Sequence, residues 1–178
     1  MLQSLAEKID RLNELIGRAV AWLTLLMVMV TFLIVLLRYA FSIGWISMQE
    51  SVTYMHALVF MLGASYALLK NAHVRVDIFY QRISRKSRAW VDLLGGLLLL
   101  IPFCLFVIWT SWHYVGSSWS LLEGSREAGG LPAVFLLKTC IPVMAGLVLL
   151  QGISTILHSI VQLRSAGKHT DNEASGHG

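Results

Sequence analysis

The chain has 178 residues, of which 56% are hydrophobic and 13% charged, with a formal net charge of +4 at pH 7 and a mean hydropathy of +0.68. Soluble domains carry about 25% charged residues, so this composition excludes an ordinary soluble domain and directs the reading to a membrane protein. Cys104 and Cys140 lie inside apolar runs without CxxC spacing, which fits small packing residues rather than a metal or redox site.

Residues 1–17 read as an amphipathic leader helix. Leu2, Leu5, Ile9, Leu12 and Ile16 recur at steps of three and four and share one face. Ser4 and Glu7 have capping-box spacing, which puts the helix start near Leu5. Such a helix lies on the inner leaflet or docks a partner.

Four spans follow, at about 18–38, 50–70, 92–116 and 132–162, each long enough to cross the hydrocarbon core as a helix. The first has an apolar run longer than a signal-peptide core, and the 18-residue leader before it carries Glu7, Asp10 and Glu14, so it reads as a retained helix. Pro102 and Pro142 fall inside spans three and four and each removes a backbone donor, whereas Pro132 fits the first turn of span four. That span is roughly 46 Å long at 1.5 Å per residue, so it tilts or protrudes. Residues 164–178 are polar and read as a disordered tail.

Lysine and arginine set the orientation. The leader, the loop after span two and the tail hold Lys8, Arg11, Arg18, Lys70, Arg75, Arg82, Arg85, Lys86, Arg88, Arg164 and Lys168, against Arg38, Arg126 and Lys138 on the other side. Both termini are therefore expected in the cytoplasm. The positive charge matches anionic headgroups, not nucleic acid. The fold class that follows is all-α: an integral membrane four-helix protein, N-in and C-in, with an N-terminal interfacial helix. Trp45, Trp112 and Trp119 read as an outer aromatic belt, and Trp90 as an inner anchor.

Chemistry is sparse. Ionisable groups deep in the spans are nearly absent, which argues against translocation by this chain alone. No nucleophile–base pair, zinc-ligand cluster or phosphate loop occurs, so neither catalysis nor a cofactor is expected. One competing reading is that His56 and His113, at similar depth on spans two and three, ligate a haem. The chain would then be a haem- or quinone-associated anchor of a dehydrogenase. A lone four-span scaffold is a third class.

The order of elements from Arg38 to Asp92 is more specific. Arg38-Tyr39 closes span one. Trp45 precedes Gln49-Glu50, and Gly63 and Tyr66 follow in span two. Then come His73-Val74-Arg75-Val76-Asp77 and Trp90-Val91-Asp92. Glu123, Gly130-Leu131-Pro132, Ile141-Pro142 and Gln151 continue the series. Over roughly residues 15–163 this resembles the small membrane subunit (DctQ-like) of tripartite ATP-independent periplasmic (TRAP) transporters. The resemblance implies two partners, a large multi-span transport subunit and a periplasmic substrate-binding protein, besides membrane lipids. It also implies uptake of a carboxylate-type solute by symport, commonly with sodium, in the bacterial inner membrane.

Within that reading the candidate interface residues are Trp45, Gln49, Glu50, Tyr66, His73, Arg75, Asp77, Trp90, Asp92, Glu123, Arg126 and Glu127. Glu50 either favours its own helix N-terminus through the dipole, or orients spans one and two or meets the large subunit. Arg75 and Asp77 tie down the cytoplasmic turn, touch the large subunit, or belong to a solvated loop. Glu123, Arg126 and Glu127 dock the binding protein or sit in a solvated loop. Gly63, Gly95 and Gly96 allow close helix contacts or are ordinary packing residues.

Overall fold

The structure is a computed structural model; it describes residues 2–70 and 85–175, with side chains at 2–70 and 87–164. Its elements are α1 (Leu2–Phe41), α2 (Ile46–Leu69), α3 (Arg85–Gly95), a π-helical turn (Gly96–Leu100), α4 (Ile101–Ser120) and α5 (Val134–Ser175). Four helical stretches are long and apolar enough to cross a membrane: Leu2–Phe41, Ile46–Leu69, Ser87–Ser120 and Val134–Arg164. No β-strand occurs among the described residues.

The last helix is the axis. Alpha1 and α2 pack on each other and both pack on α5, while α3 and α4 pack chiefly on α5. The interior is made of small side chains, including Ala6, Gly17, Ser65, Ala89, Cys104, Cys140, Ala145 and Ser154. Bulky residues point outward, among them Trp22, Phe32, Phe60, Trp109 and Trp112. This inverts the soluble pattern for a physical reason: lipid tails are as apolar as leucine, so close backbone approach and polar contacts decide helix association.

Three boundaries differ from the sequence reading. Helix α1 runs from Leu2 with no break at residue 17, so the leader and span one are a single rod of 40 residues. No proline lies between Leu2 and Arg18, Gly17 is held by its contact with Tyr66, and the buried Ala6 has its carbonyl against Ser154 Oγ at 3.2 Å. Helix α5 continues to Ser175, beyond the point where composition alone favours disorder. It also starts at Val134, so Pro132 precedes the helix rather than sitting in its first turn; Ala133 instead accepts from the N–H groups of Leu136 and Leu137.

Pro102 is accommodated by the residues before it. The π-helical turn widens the coil, and Ile101 N–H donates to the Gly96 carbonyl, five residues back. Pro102 then falls in the first turn of α4, where a missing N–H does little harm. Pro142 remains inside an unbroken α5.

Gly17 sets the spacing of α1 and α2. A Cβ placed there would lie 2.3 Å from Cγ of Tyr66. Of the glycines expected at helix contacts, Gly96 lies against Ile156, whereas Gly63 and Gly95 face open space. Gly17→Ala is expected to destabilise the protein in mild detergent by about 1–3 kcal/mol, the range for overpacking a tight contact. Thermal unfolding of the single variant and of Gly17→Ala/Tyr66→Ala checks this. The second change should recover part of the loss.

Candidate functional site

Polar side chains gather at the start of α5 and around its middle. At the end near Val134 the organising segment is the loop 121–133. Helix α4 closes with Leu122 in a left-handed conformation (φ 44°). Leu122 N–H donates to the Trp119 carbonyl at 3.1 Å, and Glu123 N–H to the Ser118 carbonyl at 3.0 Å, the paired bonds of a Schellman ending. That ending delivers the Glu123 carboxylate to Ser118 Oγ (2.7 Å) and Lys138 Nζ (2.5 Å). Lys138 also stands 4.1 Å from the centre of the Tyr114 ring, a cation–π distance. Trp119 Nε1 donates to Thr139 Oγ1 at 2.8 Å, and its ring meets Phe135 edge-on at 4.7 Å.

Glu50 reaches the same loop from α2. Its carboxylate accepts from Ser125 Oγ and, at 2.6 Å, from Leu131 N–H. Gly130 makes this possible, since a Cβ there would sit 2.4 Å from Ser125 Oγ and 2.8 Å from Glu50 Oε2. Glu50 therefore ties α2 to the α4–α5 loop. The sequence singled it out but not this contact: Leu131 lies 81 residues away.

Around the middle of α5, α1 meets it. Asp10 accepts from Gln151 Nε2 (2.9 Å) and Ser154 Oγ (2.5 Å), and pairs with His158 Nε2 at 2.9 Å. An ionised carboxylate only accepts, so in that pair His158 carries its proton on Nε2. Asn13 Nδ2 donates to Gln151 Oε1 at 2.7 Å, and both side chains are buried. One turn further, Glu14 accepts from Arg18 at 3.0 Å and from Lys70 of α2 at 3.1 Å. None of these contacts was foreseen. Their signal was nonetheless present: Gln151, Ser154, Thr155, His158, Ser159 and Gln162 form a polar stripe at helical spacing on an apolar span.

The other candidates are placed as follows. Trp45, Gln49, Trp90, Arg126 and Glu127 are exposed, and Tyr66 is the ring over Gly17. Asp92 lines a polar cavity with Asp10 and His158. His73, Arg75 and Asp77 lie outside the described residues. Among the described residues no group of three or more His, Cys, Asp or Glu side chains is arranged to hold a metal. His56 and His113 are both exposed, on helices whose principal neighbours differ: α2 packs with α1 and α5, α4 with α5.

These features define an all-helical integral membrane protein whose polar groups serve mainly to tie its own helices together. The chain belongs to the family of tripartite ATP-independent periplasmic transporters, DctQ component, which it matches over residues 27–162. It is also similar to a TRAP transporter small permease protein of Haemophilus influenzae, with 30% identity over 112 residues, covering 63% of this chain and 67% of that one. No solved structure matches significantly.

Glu123 gives the loop a pH dependence. The Lys138 ammonium, then the Ser118 hydroxyl, hold its carboxyl below the ordinary value of 4.5, against an opposing desolvation. A depressed carboxyl stabilises the fold fully above its unfolded value and loses that contribution as pH falls through its folded value. Fluorescence of a variant keeping Trp119 as its single tryptophan should therefore be constant from pH 7 to 5 and change below about pH 4.5. Glu123→Gln should remove that acid transition.

Proposed function

We propose that this chain is the small permease subunit of a TRAP transporter in the bacterial inner membrane. It braces the large transport subunit and helps dock the periplasmic substrate-binding protein. The system then takes up a carboxylate-type solute by symport with an ion such as sodium. Both termini face the cytoplasm, as the lysine and arginine distribution favours.

The observation that carries the bracing role is the outer face of α1. Trp22, Leu25, Met29, Phe32, Leu36 and Tyr39 follow one another at steps of three and four and all are exposed. A seam of large residues at this spacing suits a partner helix packed along its length. The bundle itself uses small residues inside, so the seam is left for lipid or for the large subunit. At the loop end, Glu50 and Glu123 are engaged within the chain, which leaves Arg126 and Glu127 as exposed charges for a soluble partner. The haem or quinone reading has no comparable support, because His56 and His113 are exposed on helices with different neighbours.

Co-expressed with its neighbouring genes and purified in mild detergent, the tagged chain should co-elute with a multi-span membrane protein. Phe32→Ala/Leu36→Ala should reduce that partner's yield while leaving this chain's membrane level unchanged. Co-elution of a soluble dehydrogenase subunit in a red preparation would contradict the proposal, as would an unaltered partner yield from the seam variant.

A further inference from the structure

The donor that Pro102 lacks is missed in the turn before it. Ile101 N–H donates to the Gly96 carbonyl, five residues back. In a regular helix that N–H would go to Leu97. The π-type donor for Leu97 would be residue 102, and proline has no N–H. The Leu97 carbonyl therefore has neither of its helical donors. Among the described residues no side chain replaces them. Thr155 of α5, in the cleft beside Gly95, Gly96 and Leu100, donates to the Gln151 carbonyl, and Ser159 donates to Thr155.

This carbonyl lies within the hydrocarbon. At 1.5 Å per residue Leu97 is about 10 Å beyond Trp90, the inner anchor. It stands in a run without Lys, Arg, Asp or Glu from Leu93 to Leu122. Leu97 is exposed, and so are its neighbours Leu98, Leu99, Pro102 and Phe103. An unpaired carbonyl facing hydrocarbon is costly, and acyl chains have no N–H or O–H to offer it.

A second protein can offer one. At this depth its own backbone must be helical and internally bonded, so the donor is a side chain such as Ser, Thr, Asn or Gln. Just before the turn, a Cβ at Gly95 would meet nothing within 4 Å, so a neighbouring helix can come close to the backbone there. We propose that the exposed face around the π-helical turn is an interface between membrane subunits. A transmembrane helix of the large transport subunit packs on it and donates a side-chain hydrogen bond to the Leu97 carbonyl. The inference rests on the transporter reading for the identity of the partner. It adds a second contact to the α1 seam; α1 and the α3–α4 span both flank α5, so one multi-span partner can reach both.

Pro102→Ala tests it by supplying the missing N–H from within the helix. The isolated chain should then unfold at a higher temperature in mild detergent. The complex with the large subunit, followed by fluorescence energy transfer in vesicles, should dissociate about fivefold more readily, the ratio for one ordinary hydrogen bond. A merely structural proline would change the stability and leave the dissociation constant alone. A second measurement does not depend on that variant: photoreactive benzoylphenylalanine in place of Leu98 should give an adduct with the large subunit on irradiation. An unchanged dissociation constant, a less stable Pro102→Ala chain, or no adduct from Leu98 in an intact complex would each overturn the proposal and leave the transporter reading standing. If no multi-span protein co-elutes with the unaltered chain, both fall.

Discussion

Asp10 held between Gln151, Ser154 and His158 fixes the first helix of the chain to the last. Much else depends on that contact. In lipid the hydrophobic effect does not draw apolar helices together, so their arrangement rests on polar contacts and on residues small enough for backbones to approach. Here the two devices act side by side. Asn13 meets Gln151 beside Asp10, and Gly17, one turn further along α1, lets Tyr66 of α2 lie flat against the backbone. Glu14 then joins α1 to Lys70 at the end of α2. Three of the four transmembrane segments are thereby set at one end.

The opposite end is held differently. No long helix reaches across it; a loop of 13 residues between α4 and α5 is folded onto the bundle by two carboxylates. Glu123 binds the loop's start to Lys138 of α5, and Glu50 binds its far side to α2. Both acids are thus internal ties, not free charges. Exposed apolar side chains lie on all the helices, with a continuous seam of them on α1, and exposed charges stand at the loop tip at Arg126 and Glu127. A subunit built this way is stiff at its ends and offers its sides to other molecules. That arrangement suits the bracing role proposed above.

The four spans were legible because about 20 apolar residues without charge admit little else. The TRAP resemblance was legible too, since it lay in the order of polar landmarks along those spans. The face that the leader buries was not. Its leucines and isoleucines repeat as a buried stripe would, yet Leu2, Leu5 and Leu12 are exposed, and Ala6 and Asn13 are buried with Asp10 in contact with α5. Apolar periodicity identifies the helix but not its contact face when the surroundings are themselves apolar. The partners of Glu50 and Asp10 were hidden for another reason: they lie 75 to 148 residues away, and no local pattern encodes such distances. At Pro102 the lost donor was evident, but not that a π-helical turn would absorb it one step earlier.

The central claim is that the leader is docked on α5 as part of one continuous rod, not lying free on the membrane surface. Ala6→Cys/Ser154→Cys tests it most directly, with Cys104 and Cys140 replaced by serine. Ala6 and Ser154 are both buried where their helices meet, and the Ala6 carbonyl accepts from Ser154 Oγ at 3.2 Å, so the two positions are neighbours across that contact. Mild oxidation of intact membranes should link them rapidly and nearly completely, while Leu2→Cys/Ser154→Cys should stay unlinked. Failure of the first pair to link in membranes, with the protein otherwise folded, would contradict the account.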